Sequence, residues 1–457
     1  MVGIGGGCTM RVGEVGMDVT FPLGDGSVTV MLDTERMDVR VARSADAEGR
    51  AVGGQWEDVV AAAMDRPIGG ETIAHQDLRG KSVVVITDDW GRPTPASRVV
   101  PLILESLARA GADDGAITFV TASGMHDPMS REDLARKLGD DVVAQYRCIS
   151  HDGGDWEMLR FAGVSAMGTP VWVNRHVLEA DYRVGLGRVA LHVTHGYEGG
   201  YKLILPGVSG FDTILRDHSF NYAASSVPGI HDNPSRAETD AVGQMVGLDF
   251  LINVVVNRRD EPVKAFAGAV EAVYRQAVAY GDHKVWGAPV GHLVDITLAS
   301  PGKQPELRLD GETVRRACEV TKVGGTVIVM GDSSWNTLPD WRAGAHVDDD
   351  RALEVLDREA FGAALHDLAF SELMRLHERR DWPLSPREIQ WRAKSIRGEF
   401  YRRRWLMAAE QRRVVFTRDP QTALEAALAR HRGRPRVLAL PEAQATLPKL
   451  YLESAAR

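Results

Sequence analysis

The sequence predicts an α/β protein: two α/β domains with parallel-rich sheets and an active site in the interdomain cleft. Three observations predict it. The chain of 457 residues exceeds the size at which a single hydrophobic core usually stops growing. Residues 81–127, "KSVVVITDDWGRPTPASRVVPLILESLARAGADDGAITFVTASGMHD", run from an apolar strand through a periodic helix into a second apolar strand. Beyond residue 285 the same alternation of strands and helices begins again, which sets the expected domains at 1–285 and 286–457.

Taken in order, residues 17–42 alternate as β-strands broken by "GDG", a short antiparallel opening. The run Val83–Thr87 precedes a Pro-rich turn, the helix that follows stops at Gly111, and Ile117–Thr121 is the next strand. In such βαβ units ligands bind beyond the carboxyl ends of the strands, so Asp88, Asp89, Arg92 and His126 are expected at one crevice. "YRVGLGRVALH", residues 182–192, is a third strand that carries His192 to the same edge. Its "GLGRVA" satisfies GxGxxA, but a dinucleotide fingerprint must open a helix and this stretch does not. No GxxxxGK[ST] pattern is present, which leaves a nucleotide triphosphatase unsupported. Residues 265–287 read as helical. The second domain then follows through "GHLVDITLAS", a helix near 311–322, "GGTVIVMGD", helices over 350–410, "RRVVFT", a further helix and "RVLAL".

Composition narrows the function. A net charge of −9 and a pI near 5.9 give no field that attracts nucleic acid or an anionic membrane, so small molecules are the expected partners. The basic, aromatic segment at 377–405 reads as a solvated helical face or a subunit contact. Cys8, Cys148 and Cys318 are far apart and lack CxxC spacing, which points to a reducing compartment and away from a zinc site. With no signal-like start and no span-length apolar run, a cytoplasmic location is expected.

The most unusual stretch is "HVTHGYEGGYKLILPG", residues 192–207. Gly199 and Gly200 can adopt positive φ and bring Lys202 close to a bulky ligand. A tight turn with a snorkelling lysine is the alternative, and the residues alone leave both open.

Three motifs in one order, "DDWGRPTP", "SGMHDP" and "VNRHVLEADYRVGLGRVALHVTHGYEGGYKLILPGVSGFDTILRDH", are carried by residues 80–225. Through them the chain closely resembles the lactate racemase family, the enzymes of the nickel-pincer nucleotide. The resemblance implies an isomerase that inverts C2 of a 2-hydroxy acid by hydride transfer, as a racemase or epimerase. Its cofactor would be a pyridinium-3-thioamide-5-thiocarboxylic acid mononucleotide holding nickel, bound covalently to Lys202. Separate maturation enzymes would load it. His218 matches the nickel ligand, and soft sulfur with imidazole suits Ni(II). His126 and His192 match the two general bases, one for each enantiomer. Arg92 matches the residue that holds the substrate carboxylate, a role suited to a guanidinium fork. Asp89 would orient these groups or the cofactor, Gly199 and Gly200 would make room for it, and the amides of Ser123 and Gly124 would receive its phosphate.

Two departures bear on the substrate. In "ELRLDGETVRRA", counted back without gaps from Val323–Gly325, Glu312 takes the place of a substrate-contacting lysine, with Arg308 and Leu309 in place of a Tyr-Gln pair. A carboxylate there repels a small hydroxy acid and accepts hydroxyl hydrogen bonds from a larger one. Trp90 beside Arg92 is either core filler or a stacking surface. A substrate larger than lactate is therefore expected, with sugar-acid 2-epimerisation as the specific case. His195 extends the substrate site or packs a turn, and His151 is read as structural. The rival readings are a net oxidoreductase or dehydratase, which would need an electron acceptor, and a non-catalytic carrier or sensor, which would need neither base.

Overall fold

The computed structural model describes residues 10–12, 16–23, 25–44, 55–192, 194–220, 228–257, 261–302, 312–330, 419–431, 433–444 and 446–450. The described residues form two compact units, one from residues 55 to 281 and the other from those before 45 together with those from 282 onward.

The first unit is built on a six-stranded sheet. In chain order its strands are β1 (Val83–Asp88), β2 (Ile117–Ala122), β3 (Arg147–Ser150), β4 (Tyr182–Val189), β5 (Phe250–Val256) and β6 (Pro262–Gly268). Their spatial order is β6-β5-β4-β1-β2-β3, parallel throughout except for β6, which closes one edge antiparallel to β5. The main helices are α1 (Trp56–Asp65), α2 (Ala96–Arg109), α3 (Arg131–Leu138), α4 (Phe211–Ser219), α5 (Pro234–Val246) and α6 (Val270–Lys284). Every residue of β1 is buried because both faces are covered. Val83 and Val85 join one core with residues of α1 and α2, whereas Val84 and Ile86 join a second with Leu203, Phe211, Val242 and Val273. Each such side chain contributes about 1.5–3 kcal/mol on full burial.

Helix ends are set by local chemistry. Ser130 and Asp133 form a reciprocal capping box at the start of α3. Asn233 accepts the amide of Arg236 at the start of α5, with Pro234 in the first turn. The stretch read as helical over 265–287 divides: its first residues complete β6, and the helix begins only at Val270. "GLGRVA" lies within and just beyond β4, so its glycines open no helix. A Cβ on Gly185 would lie 2.9 Å from Leu203 Cδ1, so its absence lets the chain around Lys202 rest directly on the sheet.

In the second unit, strands Thr321–Val329, Val294–Ala299, Arg436–Leu440 and Asp38–Val41 form a parallel sheet in that order. The expected first domain of residues 1–285 is thereby corrected. Asp38–Val41 pairs with Arg436–Leu440, and the hairpin of Gly16–Leu23 and Gly26–Asp33 buries Val19, Phe21, Val30 and Leu32 against Ile296, Leu298 and Leu424. Strand pairing across nearly the whole chain length decides membership, and sequence order conceals it. The basic segment 377–405, the helices expected over 350–410 and "RRVVFT" lie outside the described residues. Among the described residues no helix is long and apolar enough to cross a membrane.

One packing contact gives a test. Glycine-to-alanine changes inside helices usually stabilise by up to about 1 kcal/mol. A Cβ on Gly243, in α5, would lie 2.2 Å from Tyr201 Cγ, near the root of a side chain that cannot swing clear. Overpacking therefore prevails, and Gly243→Ala is expected to lose about 1–3 kcal/mol, read from the shift in urea midpoint.

Candidate active site

The strand order reverses between β1 and β4. From β1 the chain moves outward through β2 and β3, then returns to β4 on the other side and moves outward again. The crevice beyond the carboxyl ends of these two strands is the place where an open α/β sheet binds ligands. The loop after β1 carries Asp89, Trp90 and Arg92; the segment after β4 carries His192, His195 and Lys202.

Asp88 anchors the first loop. Its Oδ1 lies 2.8 Å from Lys137 Nζ, its Oδ2 accepts the Thr94 hydroxyl at 2.5 Å, and Lys137 also donates to the Arg92 carbonyl at 2.8 Å. Asp89, almost fully buried, meets His126 Nδ1 at 2.5 Å. That contact places a proton on Nδ1 and leaves Nε2 with a lone pair, on a side chain that is 51% exposed. His126 is thus prepared as a base. Trp90 is 66% exposed, which removes the core-filler reading and leaves its ring open to a ligand.

His192 is held differently. Its Nδ1 accepts the backbone N–H of His195 at 3.1 Å and of Thr194 at 3.3 Å, so the hydrogen bonds assign the neutral proton to Nε2. That Nε2 faces Lys202 Nζ at 3.5 Å. Burial lowers the affinity of Lys202 for its proton, an effect that Asp217 and Glu198 oppose, and burial with the nearby Lys202 charge pushes His192 well below the usual histidine range. Lys202 is therefore a lysine whose pKa burial lowers to about 7, which brings its nucleophilic, uncharged form within reach near neutrality.

The loop under Lys202 is braced from beneath. Gly199 and Gly200 have φ of 94° and 62°. A Cβ on Gly199 would meet Val189 Cγ2 at 2.6 Å, and one on Gly200 would meet Arg236 Nη2 at 2.7 Å. The expectation that these glycines make room for a cofactor is corrected: the space is filled by protein. Asn253 on β5 accepts the Gly200 amide at 3.1 Å, and buried Arg236 donates to the Gly199 carbonyl at 3.1 Å while stacking on Tyr274.

Two further expectations change. His195 is 1% exposed, with Nε2 on Asp217 Oδ2 at 3.2 Å and Nδ1 on the Thr194 hydroxyl at 3.0 Å, so it braces the site and does not reach a substrate. The amides of Ser123 and Gly124 are spent on the carbonyls of Thr121 and Gly207, and the Ser123 hydroxyl meets Ser150, so they form no phosphate cradle. His218, on α4, is partly exposed and close enough to His192 and His195 for its charge to act on both. Glu312 opens the helix Glu312–Val320 of the other unit; its side chain, and Arg308 and Leu309, lie outside the described residues.

The residues missed from sequence are Glu198, Arg188 and Asp217. Glu198 joins Arg92 Nε at 3.1 Å to Arg188 Nε at 2.8 Å, one carboxylate oxygen to each. Asp217 is fully buried, its Oδ1 has no hydrogen-bond partner, and burial raises its pKa. Its position beside His218 was the available signal.

His151 is buried, with Nε2 on the Ser209 carbonyl at 2.9 Å and Nδ1 on Asn174 at 3.2 Å; burial lowers its pKa to about 4. The unfolded chain therefore takes up the proton first, and stability present above pH ~6.5 drains away as pH falls toward 4, by up to about 3 kcal/mol. Urea unfolding at pH 7 and pH 5 should show this loss. His151→Gln is expected to be less stable at pH 7 yet to lose less between the two.

Residues 23–227 match the family model of the lactate racemase N-terminal domain. The chain is 27% identical to the lactate racemase of Lactiplantibacillus plantarum over 319 residues, 68% of this chain and 74% of that protein. It is 28% identical to the lactate racemase of Thermoanaerobacterium thermosaccharolyticum over 262 residues, 56% of this chain and 60% of that protein, so this match spans about three fifths of the relative's length. The solved structure of the lactate racemase apoprotein from Thermoanaerobacterium thermosaccharolyticum shares the fold, with a TM-score of 0.66 at 21% identity, covering 94% of this chain and 100% of that one. With the motif residues of both loops gathered at one switch point, residues 23–227 match the lactate racemase N-terminal domain, and the similarity of the chain to lactate racemases indicates an isomerase.

Proposed function

We propose that the protein inverts C2 of a 2-hydroxy acid by hydride transfer, using a nickel-pincer nucleotide attached to Lys202. The observation that carries the reading is the placement of Lys202 on a braced loop with its Nζ 3.5 Å from His192 Nε2, where burial lowers the lysine pKa to about 7. The residues present fit the group. A half-buried amine of weakened proton affinity suits covalent attachment, the unpartnered Asp217 Oδ1 marks a polar interior beside it, and His218 would supply an imidazole for nickel. Among the described residues no cluster of three or more His, Cys, Asp or Glu could hold a metal unaided, so the remaining donors would come from the cofactor. When bound, the nucleotide would supply a two-electron acceptor for the hydride that leaves C2.

The protein's own part is proton handling and alignment. His126, its Nδ1 committed to Asp89, takes the hydroxyl proton at Nε2. His192, with Nε2–H in place, donates toward the oxygen of the planar 2-oxo acid, as neutral imidazoles do at other carbonyls. His126 gives its proton back to that oxygen, and hydride returned to the other face would give the opposite configuration. Arg92 holds the carboxylate and fixes C2 between the histidines. Trp90, exposed beside Arg92, favours a substrate larger than lactate that offers a face to stack on, with a sugar acid as the specific case. A non-catalytic carrier would have no use for the His126–Asp89 pair. Maturation enzymes would be the transient partners.

The test uses protein co-produced with the maturation enzymes of a known family member. Peptide mapping is expected to show a mass increment on the Lys202 peptide, with about one nickel per chain. An unmodified Lys202 in a host that loads the known relative contradicts the reading. His126→Ala and His192→Ala should each keep that increment while turnover of 2-hydroxy acids falls by about 10²-fold or more.

A further inference from the structure

We infer that Glu198 is a positioning residue for the substrate carboxylate, holding the inner edge of Arg92 so that the terminal fork of its guanidinium is presented to the substrate. The inference rests on the function proposed above and extends it to a residue that none of the three motif roles includes.

Glu198 is 8% exposed and sits where the segment after β4 turns back, its amide donating to the Ala190 carbonyl at 2.7 Å. From this fixed point its side chain spans the crevice. Oε2 accepts from Arg188 Nε at 2.8 Å, at the end of β4, and Oε1 pairs with Arg92 Nε at 3.1 Å, on the loop after β1. A single carboxylate thus links the loop that would bind substrate to the segment that carries Lys202. Its charge is shared between two guanidinium groups, so the cluster keeps one net positive charge and remains attractive to a second carboxylate. The ion pair with Arg92 is made at Nε, and among the described residues the terminal nitrogens have one hydrogen bond, a long one from Nη1 to the Gly91 carbonyl at 3.4 Å. The fork of terminal nitrogens, the part of arginine that grips a carboxylate with two parallel bonds, is the edge left for the substrate. The Arg92 guanidinium lies near enough to His192 and Lys202 for its charge to lower the proton affinity of both.

A positioning role differs from a merely structural one in what it moves. In cofactor-loaded protein, Glu198→Gln keeps the shape and removes the charge. The KM for the 2-hydroxy acid is expected to rise about tenfold or more while kcat stays within about threefold, with the mass increment on Lys202 unchanged. Glu198→Asp, which restores the charge, should recover part of that KM. Arg188→Met provides a second approach if Glu198→Gln does not fold. Glu198 then turns wholly onto Arg92, and KM should rise by about threefold or more with kcat again little changed. A KM within about twofold of wild type in these variants overturns the inference, as does a fall in KM, which would make Glu198 a competitor of the substrate. A loss of kcat at unchanged KM overturns it also. Failure of the underlying reading is seen separately, as loaded wild-type protein that turns over no 2-hydroxy acid, and takes the inference with it.

Discussion

The reversal of strand order between Val83–Asp88 and Tyr182–Val189 is the constraint on which the rest of the site depends. Two parallel neighbours whose connections leave in opposite directions cannot cover the space beyond their carboxyl ends, and the loops from both strands must share it. The loop after Val83–Asp88 brings a carboxylate and an arginine, and the segment after Tyr182–Val189 a lysine and two histidines, while the neighbouring strand Ile117–Ala122 delivers the histidine that pairs with the carboxylate. None of these groups is close to the others in sequence across the two loops. The sheet alone makes them neighbours.

Packing so many basic groups together requires that most be uncharged or paired. Burial removes the proton from His192 and His195 and lowers the proton affinity of Lys202. Arg92 and Arg188 cannot lose theirs, and Glu198 is shared between them. The result is a crevice in which fixed arginine charge lies close to nitrogen bases of weakened proton affinity, an arrangement that can hold an anion and accept a proton. The buried Arg236, Asn253 and Tyr274 hold the lysine loop from below, so the arrangement does not rely on the ligand for its shape.

Much of this was legible in the sequence, and the rest was hidden for physical reasons. Strands that are buried on both faces are continuous apolar runs, which made Val83–Thr87 and Ile117–Thr121 readable. The place of Asp38–Val41 was not, because its partner lies nearly four hundred residues away, at Arg436–Leu440. Lys202, His126, His192 and His218 stood out through motif order. Glu198 did not, since a glutamate beside two glycines is indistinguishable from a solvated turn until its partners are known. Ser123 and Gly124 had the composition of an anion cradle, but their amides were committed to Thr121 and Gly207, and only backbone geometry reveals which donors are spent. His195 failed as a substrate contact for a related reason: Asp217 and Thr194 claim both of its nitrogens.

The central claim is inversion by hydride transfer in a crevice where histidines move only the hydroxyl proton. It is tested most directly with a 2-hydroxy acid deuterated at C2, incubated in ordinary water with cofactor-loaded protein and analysed for the label in the inverted product. Hydride transfer keeps the transferred atom out of exchange with solvent, so the inverted acid is expected to retain deuterium at C2. Replacement of the label by solvent hydrogen at the rate of inversion would show that a base removes the C2 hydrogen as a proton, and would contradict the account.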